Sequence, residues 1–134
     1  MIGLLRRRRI KGFGDLPTRL LEWEKAGLYR LDELPSEAAS RLGTDIVQLD
    51  NYCLKVFGEE FRSWRKRIRL EEAGDLLLKE PGLPVYKIGI LVGFAERGNF
   101  TREFTRYCGR TPSEWRKRFG TKPDGRDGAG PGRP

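Results

Sequence analysis

The chain has 134 residues, enough for one domain-sized core or slightly more. It carries 27 Lys and Arg against 19 Asp and Glu, a formal charge of +8, which favours a polyanion such as nucleic acid as partner. The absence of histidine removes the commonest general base and metal ligand, and two cysteines cannot build a zinc finger, so neither catalysis nor a cofactor is expected.

In chain order, Met1-Ile2-Gly3-Leu4-Leu5 is too short to span a bilayer or to serve as the apolar part of a signal peptide. No membrane role is expected. Arg6-Arg7-Arg8-Arg9 suits phosphate contact or simple solvation, and residues 1–15 read as a basic N-terminal arm. Leu16, Leu20, Trp23 and Leu28 then mark an amphipathic helix ending near Gly27. It opens a first unit over residues 16–60, on which it is expected to pack. Within that unit Leu49, Cys53, Val56 and Phe57 share an apolar face, so Cys53 reads as a buried hydrophobe. Cys108 lies 55 residues further on, without a Cys-x-x-Cys pattern, and no disulfide is expected.

Residues 61–80 read as a linker helix. Phe61 to Lys79 contains no Pro and one Gly, and Trp64, Ile68, Leu70, Ala73, Leu76 and Leu77 form a helical stripe that Pro81-Gly82 ends. A second unit follows over residues 81–119. Phe100, Phe104 and Tyr107 recur at i, i+4, i+7, one face of a helix, while Arg97, Asn99, Thr101, Arg102 and Arg106 project elsewhere. Gly109 suits a left-handed helix stop. Thr111, Pro112 and Glu114 spell a cap, a first helical residue and a capping box. The tail, residues 120–134, is rich in Gly, Pro and charge and reads as disordered.

The chain also repeats itself. Gly58 to Arg67, with Trp64, aligns with Gly109 to Arg118, with Trp115, at an offset of 51; at that offset Leu49 meets Phe100 and Cys53 meets Phe104. At an offset of 50, Leu42-Gly43 meets Val92-Gly93 and Ala39 meets Gly89. Equivalent Gly, Trp and apolar positions imply two copies of one supersecondary unit, each reading as helix, tight turn, helix and closing helix.

Residues 93–116 carry a specific resemblance. Gly93-Phe94, Phe100, Arg102, Phe104, Gly109, Thr111-Pro112, Trp115 and Arg116 stand where the AraC/XylS family of bacterial transcription regulators has its second helix-turn-helix. Arg69-Leu70-Glu71-Glu72-Ala73 followed by Leu76-Leu77 resembles the central helix of that family. The resemblance covers roughly Leu16 to Phe119. It implies an all-α fold of about seven helices, two helix-turn-helix units joined by a long linker helix, homeodomain-like and of AraC type. It leaves no place for the small-molecule effector or dimerising domain that many members carry, so the chain reads either as a stand-alone member or as the C-terminal part of something longer.

The function so implied is sequence-specific binding of double-stranded DNA and regulation of transcription, activation by analogy. Two recognition helices would enter successive major grooves. The location would be cytoplasmic and nucleoid-associated, with RNA polymerase as a candidate further partner. Carried over position by position, the base readers are Val47, Gln48, Asp50 and Asn51 in the first unit and Arg97, Asn99, Thr101 and Arg102 in the second. Arg reads guanine O6/N7, and Asn or Gln reads adenine N6/N7. Lys55, Lys87, Arg106, Arg110 and the helix start at Thr111 are the phosphate contacts. Three departures from the pattern bear on these assignments. Ala95 stands where a Ser or Thr cap is usual, Gly98 weakens the first helical turn, and Asp50 places a carboxylate on the face expected to meet phosphate. The competing reading is a non-enzymatic, basic helical module for protein or RNA. RNA modules expose aromatics for stacking, whereas the aromatics here fall at core spacing.

Overall fold

A computed structural model describes residues 12–120; the basic run Arg6–Arg9 and tail residues 121–134 lie outside the described residues. Among the described residues the chain forms seven α-helices, one 3-10 turn (Leu28–Arg30) and no strand. The helices are α1 Leu16–Lys25, α2 Pro35–Arg41, α3 Ile46–Phe57, α4 Phe61–Lys79, α5 Val85–Leu91, α6 Arg97–Cys108 and α7 Pro112–Phe119. The fold is all-α, with two compact units divided between Ile68 and Arg69, inside the uninterrupted helix α4.

The first unit closes on aromatic rings. Leu16, Leu20 and Trp23 of α1 are buried with Ala38 and Ala39 of α2, Leu49, Tyr52, Cys53 and Val56 of α3, and Phe61, Trp64 and Ile68 of α4. Phe57 stacks on Trp64 at 4.6 Å between centroids, and Trp23 lies 6.0 Å from the same indole. Each fully buried Leu or Phe contributes on the order of 1.5–3 kcal/mol. In the second unit Leu70, Ala73 and Leu77 of α4 are buried with Ile88, Val92, Phe94, Phe100 and Phe104. The single apolar stripe read along α4 thus serves two cores, Trp64 and Ile68 in one, Leu70, Ala73 and Leu77 in the other.

The internal repeat is a repeat of structure. Helix α2 maps onto α5 at an offset of 50 residues, and α3 maps onto α6 at an offset of 51. The turns between them share their reversal bond, although the second turn, residues 92–96, is one residue longer than the first, residues 42–45. Thr44 N donates to Ala39 O at 2.9 Å, and Phe94 N donates to Gly89 O at 2.8 Å. Gly43 and Gly93 take φ of +76° and +115° at this reversal, a region that residues with a Cβ rarely enter.

The Trp-Arg pairs of the two closing segments have structural work. Arg65 is 8% exposed, donates from Nη1 to Glu33 O at 2.8 Å and lies 5.3 Å from the Phe61 ring. Burial lowers its pKa, Glu33 and Asp32 counter this, and Arg62 adds to the lowering. A guanidinium nonetheless stays charged at any ordinary pH. Arg116 donates from Nε to Leu77 O at 2.9 Å and from Nη2 to Glu80 O at 3.0 Å, satisfying carbonyls at the end of α4. Trp115 donates from Nε1 to Gly74 O at 3.1 Å and meets Phe104 edge-on at 5.7 Å.

Two local expectations need correction. Tyr107 does not join Phe100 and Phe104 inside; it is 45% exposed and its hydroxyl donates to Glu71 Oε2 at 3.2 Å. A phenol at the edge of a small core keeps its polar tip in water or on a partner. The N-cap of α6 is Glu96, not Ala95, and the Glu96 side chain makes no capping bond. The equivalent Asp45 does cap α3, accepting from Gln48 N at 2.9 Å. The extra methylene of Glu makes it a poorer cap than Asp.

Candidate nucleic-acid interface

Each unit leaves one face of its second helix-turn-helix element outside its core. On α3, Leu49, Tyr52, Cys53 and Val56 face inward. The opposite face presents Val47, which is 64% exposed, with Gln48, Asn51 and Lys55, also exposed. No hydrogen bond of the Gln48 or Asn51 amide is found among the described residues, so both keep donor and acceptor for a ligand.

Asp50 is placed differently. It is half-buried, and its Oδ1 accepts from Phe61 N, the first backbone donor of α4, at 2.9 Å. A carboxylate is a strong acceptor for an otherwise orphan helix N–H, and that bond turns Asp50 towards its own fold. The family pattern, carried over position by position, puts Asp50 among the readers; this bond engages one of its carboxylate oxygens within its own fold.

On α6, Phe100 and Phe104 face the core, while Arg97, Thr101, Arg102 and Arg106 are exposed. The arginines are held rather than loose. The Arg97 guanidinium sits 4.0 Å from the centroid of the Tyr86 ring on α5. Such stacking is worth about 0.5–1 kcal/mol at exposed sites and holds the planar group ready for an acceptor. Arg102 donates from Nη2 to Asn99 Oδ1 at 3.1 Å, and Asn99 is half-buried. Asn99 therefore stands behind Arg102. Arg106 pairs with Glu103 at 3.3 Å on the surface, a link worth about 0–1 kcal/mol and readily exchanged for phosphate.

The remaining cations lie at the margins of the second unit. Lys87 on α5 is exposed, and the exposed Arg110 guanidinium lies 5.5 Å from the Phe119 ring. Thr111 is not the open anion site expected of it. Its Oγ1 accepts from Glu114 N at 3.1 Å and its N–H donates to Glu114 Oε1 at 2.8 Å. The capping box closes the start of α7 and puts a carboxylate where a phosphate would come. Sequence reasoning passed over Tyr86. The available signal was its place on the helix before the turn, eleven residues ahead of Arg97.

A duplicated helix-turn-helix whose second helices carry polar and basic outer faces defines a DNA-binding fold. A family model described as a helix-turn-helix domain matches residues 38–118, and the chain belongs to that family, the AraC/XylS-type regulators, which bind DNA and regulate transcription. Over 53 residues the chain is 38% identical to the ornithine utilization regulator of Pseudomonas aeruginosa; the match takes in 40% of this chain and 14% of that regulator. The fold is similar to the C-terminal domain of AraT, a response regulator from Geobacillus stearothermophilus, with a TM-score of 0.73 and 23% identity over 86% of this chain and 92% of that one. It is also similar to a Listeria innocua protein of unknown function, with a TM-score of 0.65 and 22% identity over 75% of this chain and 93% of the other. No helix among the described residues is long and apolar enough to cross a membrane.

Proposed function

We propose that the chain binds double-stranded DNA sequence-specifically through α3 and α6, the two helices entering successive major grooves of one duplex, and that it activates transcription from there. The supporting observation is the duplicated helix pair with its shared reversal bond, Thr44 N to Ala39 O and Phe94 N to Gly89 O, which gives each unit one helix with a polar outer face. Gln48, Asn51, Arg97 and Arg102 supply donors and acceptors for base edges; Lys55, Lys87, Arg106 and Arg110 supply charge for phosphates. Activation, RNA polymerase as further partner and a cytoplasmic, nucleoid-associated location rest on likeness to the family alone. Selection of binding sites from random DNA followed by footprinting tests the binding mode. Successive grooves lie about 34 Å apart, so protection over about two helical turns is the expected result. A protected stretch of about 5 base pairs would overturn the use of both helices.

A further inference from the structure

The two recognition helices share a backbone but not a chemistry, and the repeat makes the comparison position by position. At an offset of 51, Ile46 meets Arg97, Val47 meets Gly98, Gln48 meets Asn99, Asn51 meets Arg102 and Lys55 meets Arg106. The outer face of α6 carries three arginines, and that of α3 carries one lysine. Two of the arginines have built supports, Tyr86 under Arg97 at 4.0 Å and Asn99 behind Arg102 at 3.1 Å. At the place of Tyr86 the first unit has Ser36, which offers no ring.

From this we infer that the DNA site is chemically lopsided: α6 reads guanine and α3 reads an A·T pair, with Val47 against a thymine methyl. The inference rests on the proposed DNA reading of both helices and adds the base class of each half. Guanine is the base whose O6 and N7 accept the two parallel donors of a guanidinium, and a braced guanidinium loses less freedom on binding. Asn99 uses its carbonyl oxygen on Arg102, so it positions Arg102 and does not read adenine itself. On α3 no guanidinium is present. The Gln48 and Asn51 amides match adenine N6 and N7, which present one donor and one acceptor. Val47 is a branched apolar side chain left 64% exposed beside them, and the one apolar group on a major-groove edge is the thymine methyl.

Base analogues that delete one atom group test this on a selected site. Replacing thymine by deoxyuridine removes only the methyl, and replacing guanine by 7-deazaguanine removes only N7. The expected result is two separate regions of sensitivity. Deoxyuridine at one position in one half should weaken wild-type binding about 4-fold, the worth of roughly one buried methyl, and Val47→Ser should abolish that sensitivity. In the other half 7-deazaguanine should weaken binding about 5- to 100-fold. Arg102→Ala should remove the effect at one guanine and Asn99→Ala should reduce it at the same guanine, leaving the deoxyuridine response untouched. Val47, Asn99 and Arg102 all lie outside the cores, so the variants are expected to fold, and circular dichroism checks this. Equal sensitivity of both halves, or a deoxyuridine effect that persists in Val47→Ser, overturns the inference while DNA reading stands. Failure to select any preferred site sinks the DNA-reading proposal itself, a distinct result.

Discussion

Gly89 of α5 and Phe100 of α6 are matched to each other: a Cβ built on Gly89 would lie 2.7 Å from Phe100 Cδ2 and 2.8 Å from Cγ. At the equivalent places the first unit has Ala39 and Leu49, both fully buried. One unit pairs a larger helix residue with a smaller partner and the other does the reverse. The close approach of two helices fixes the combined volume at the crossing, and the repeat solves that constraint twice.

Gly89→Ala should therefore destabilise the protein by about 1–2 kcal/mol, because the overpacking penalty of roughly 1–3 kcal/mol exceeds the helix-propensity gain of up to about 1 kcal/mol. The pair Gly89→Ala with Phe100→Leu copies the first unit and should be less destabilised than the two single changes added together, by about 1 kcal/mol or more. Denaturant titration of the four proteins measures it. Additive losses would mean that the two positions do not share one volume.

Arg116 and Arg65 carry a second prediction. Both are the Arg of a Trp-Arg pair and both donate to backbone carbonyls. Replacing Arg65 or Arg116 by Ala leaves a part-buried carbonyl, Glu33 O or Leu77 O, without its charged donor, a loss of about 1.5–3 kcal/mol each. The loss should show in the unfolding midpoint. Arg116→Lys should recover only part of it, because an ammonium cannot reach Leu77 O and Glu80 O with the spread of a guanidinium.

These results show where the sequence was legible and where it was not. Element order could be read because apolar spacing and Gly stops express local backbone preference. The capping box at Thr111 and Glu114 was legible for the same reason, being a contact between residues three apart. Its consequence for anion binding was not, since that depends on which groups remain unbonded once the box has formed. Asp50 shows the same boundary. Its spacing along α3 is that of an outward residue, but its partner is Phe61, eleven residues away across the turn at Gly58. The support of Arg97 by Tyr86 likewise joins two helices, and helical periodicity carries no information about it.

Asp50→Ala should accordingly act on stability. Removing an acceptor for an orphan N–H at a helix start costs about 0.5–2 kcal/mol. Affinity for random and preferred DNA should stay level or rise together, since a negative charge near phosphate is lost. If the variant instead relaxes the choice at a single base pair, Asp50 is a reader after all.

Arg102 and Lys55 separate two kinds of contact. Arg102 is exposed, braced by Asn99 and suited to a base edge; Lys55 is an exposed ammonium without a planar fork. Arg102→Ala should cost about 1–3 kcal/mol on the preferred site and loosen discrimination at one position. Lys55→Ala should weaken all sequences by a similar factor and lower the salt slope by about one. The wild-type slope supplies the scale. With the phosphates of Lys55, Lys87, Arg106 and Arg110 neutralised, affinity should fall about 10²-fold between 50 and 200 mM salt, because each contact releases condensed counterions. Gel-shift titrations at several salt concentrations, on preferred and random duplexes, measure both quantities. A flat salt response would remove phosphate neutralisation as the main source of affinity, and an equal loss on both duplexes for Arg102→Ala would make that arginine one more phosphate contact.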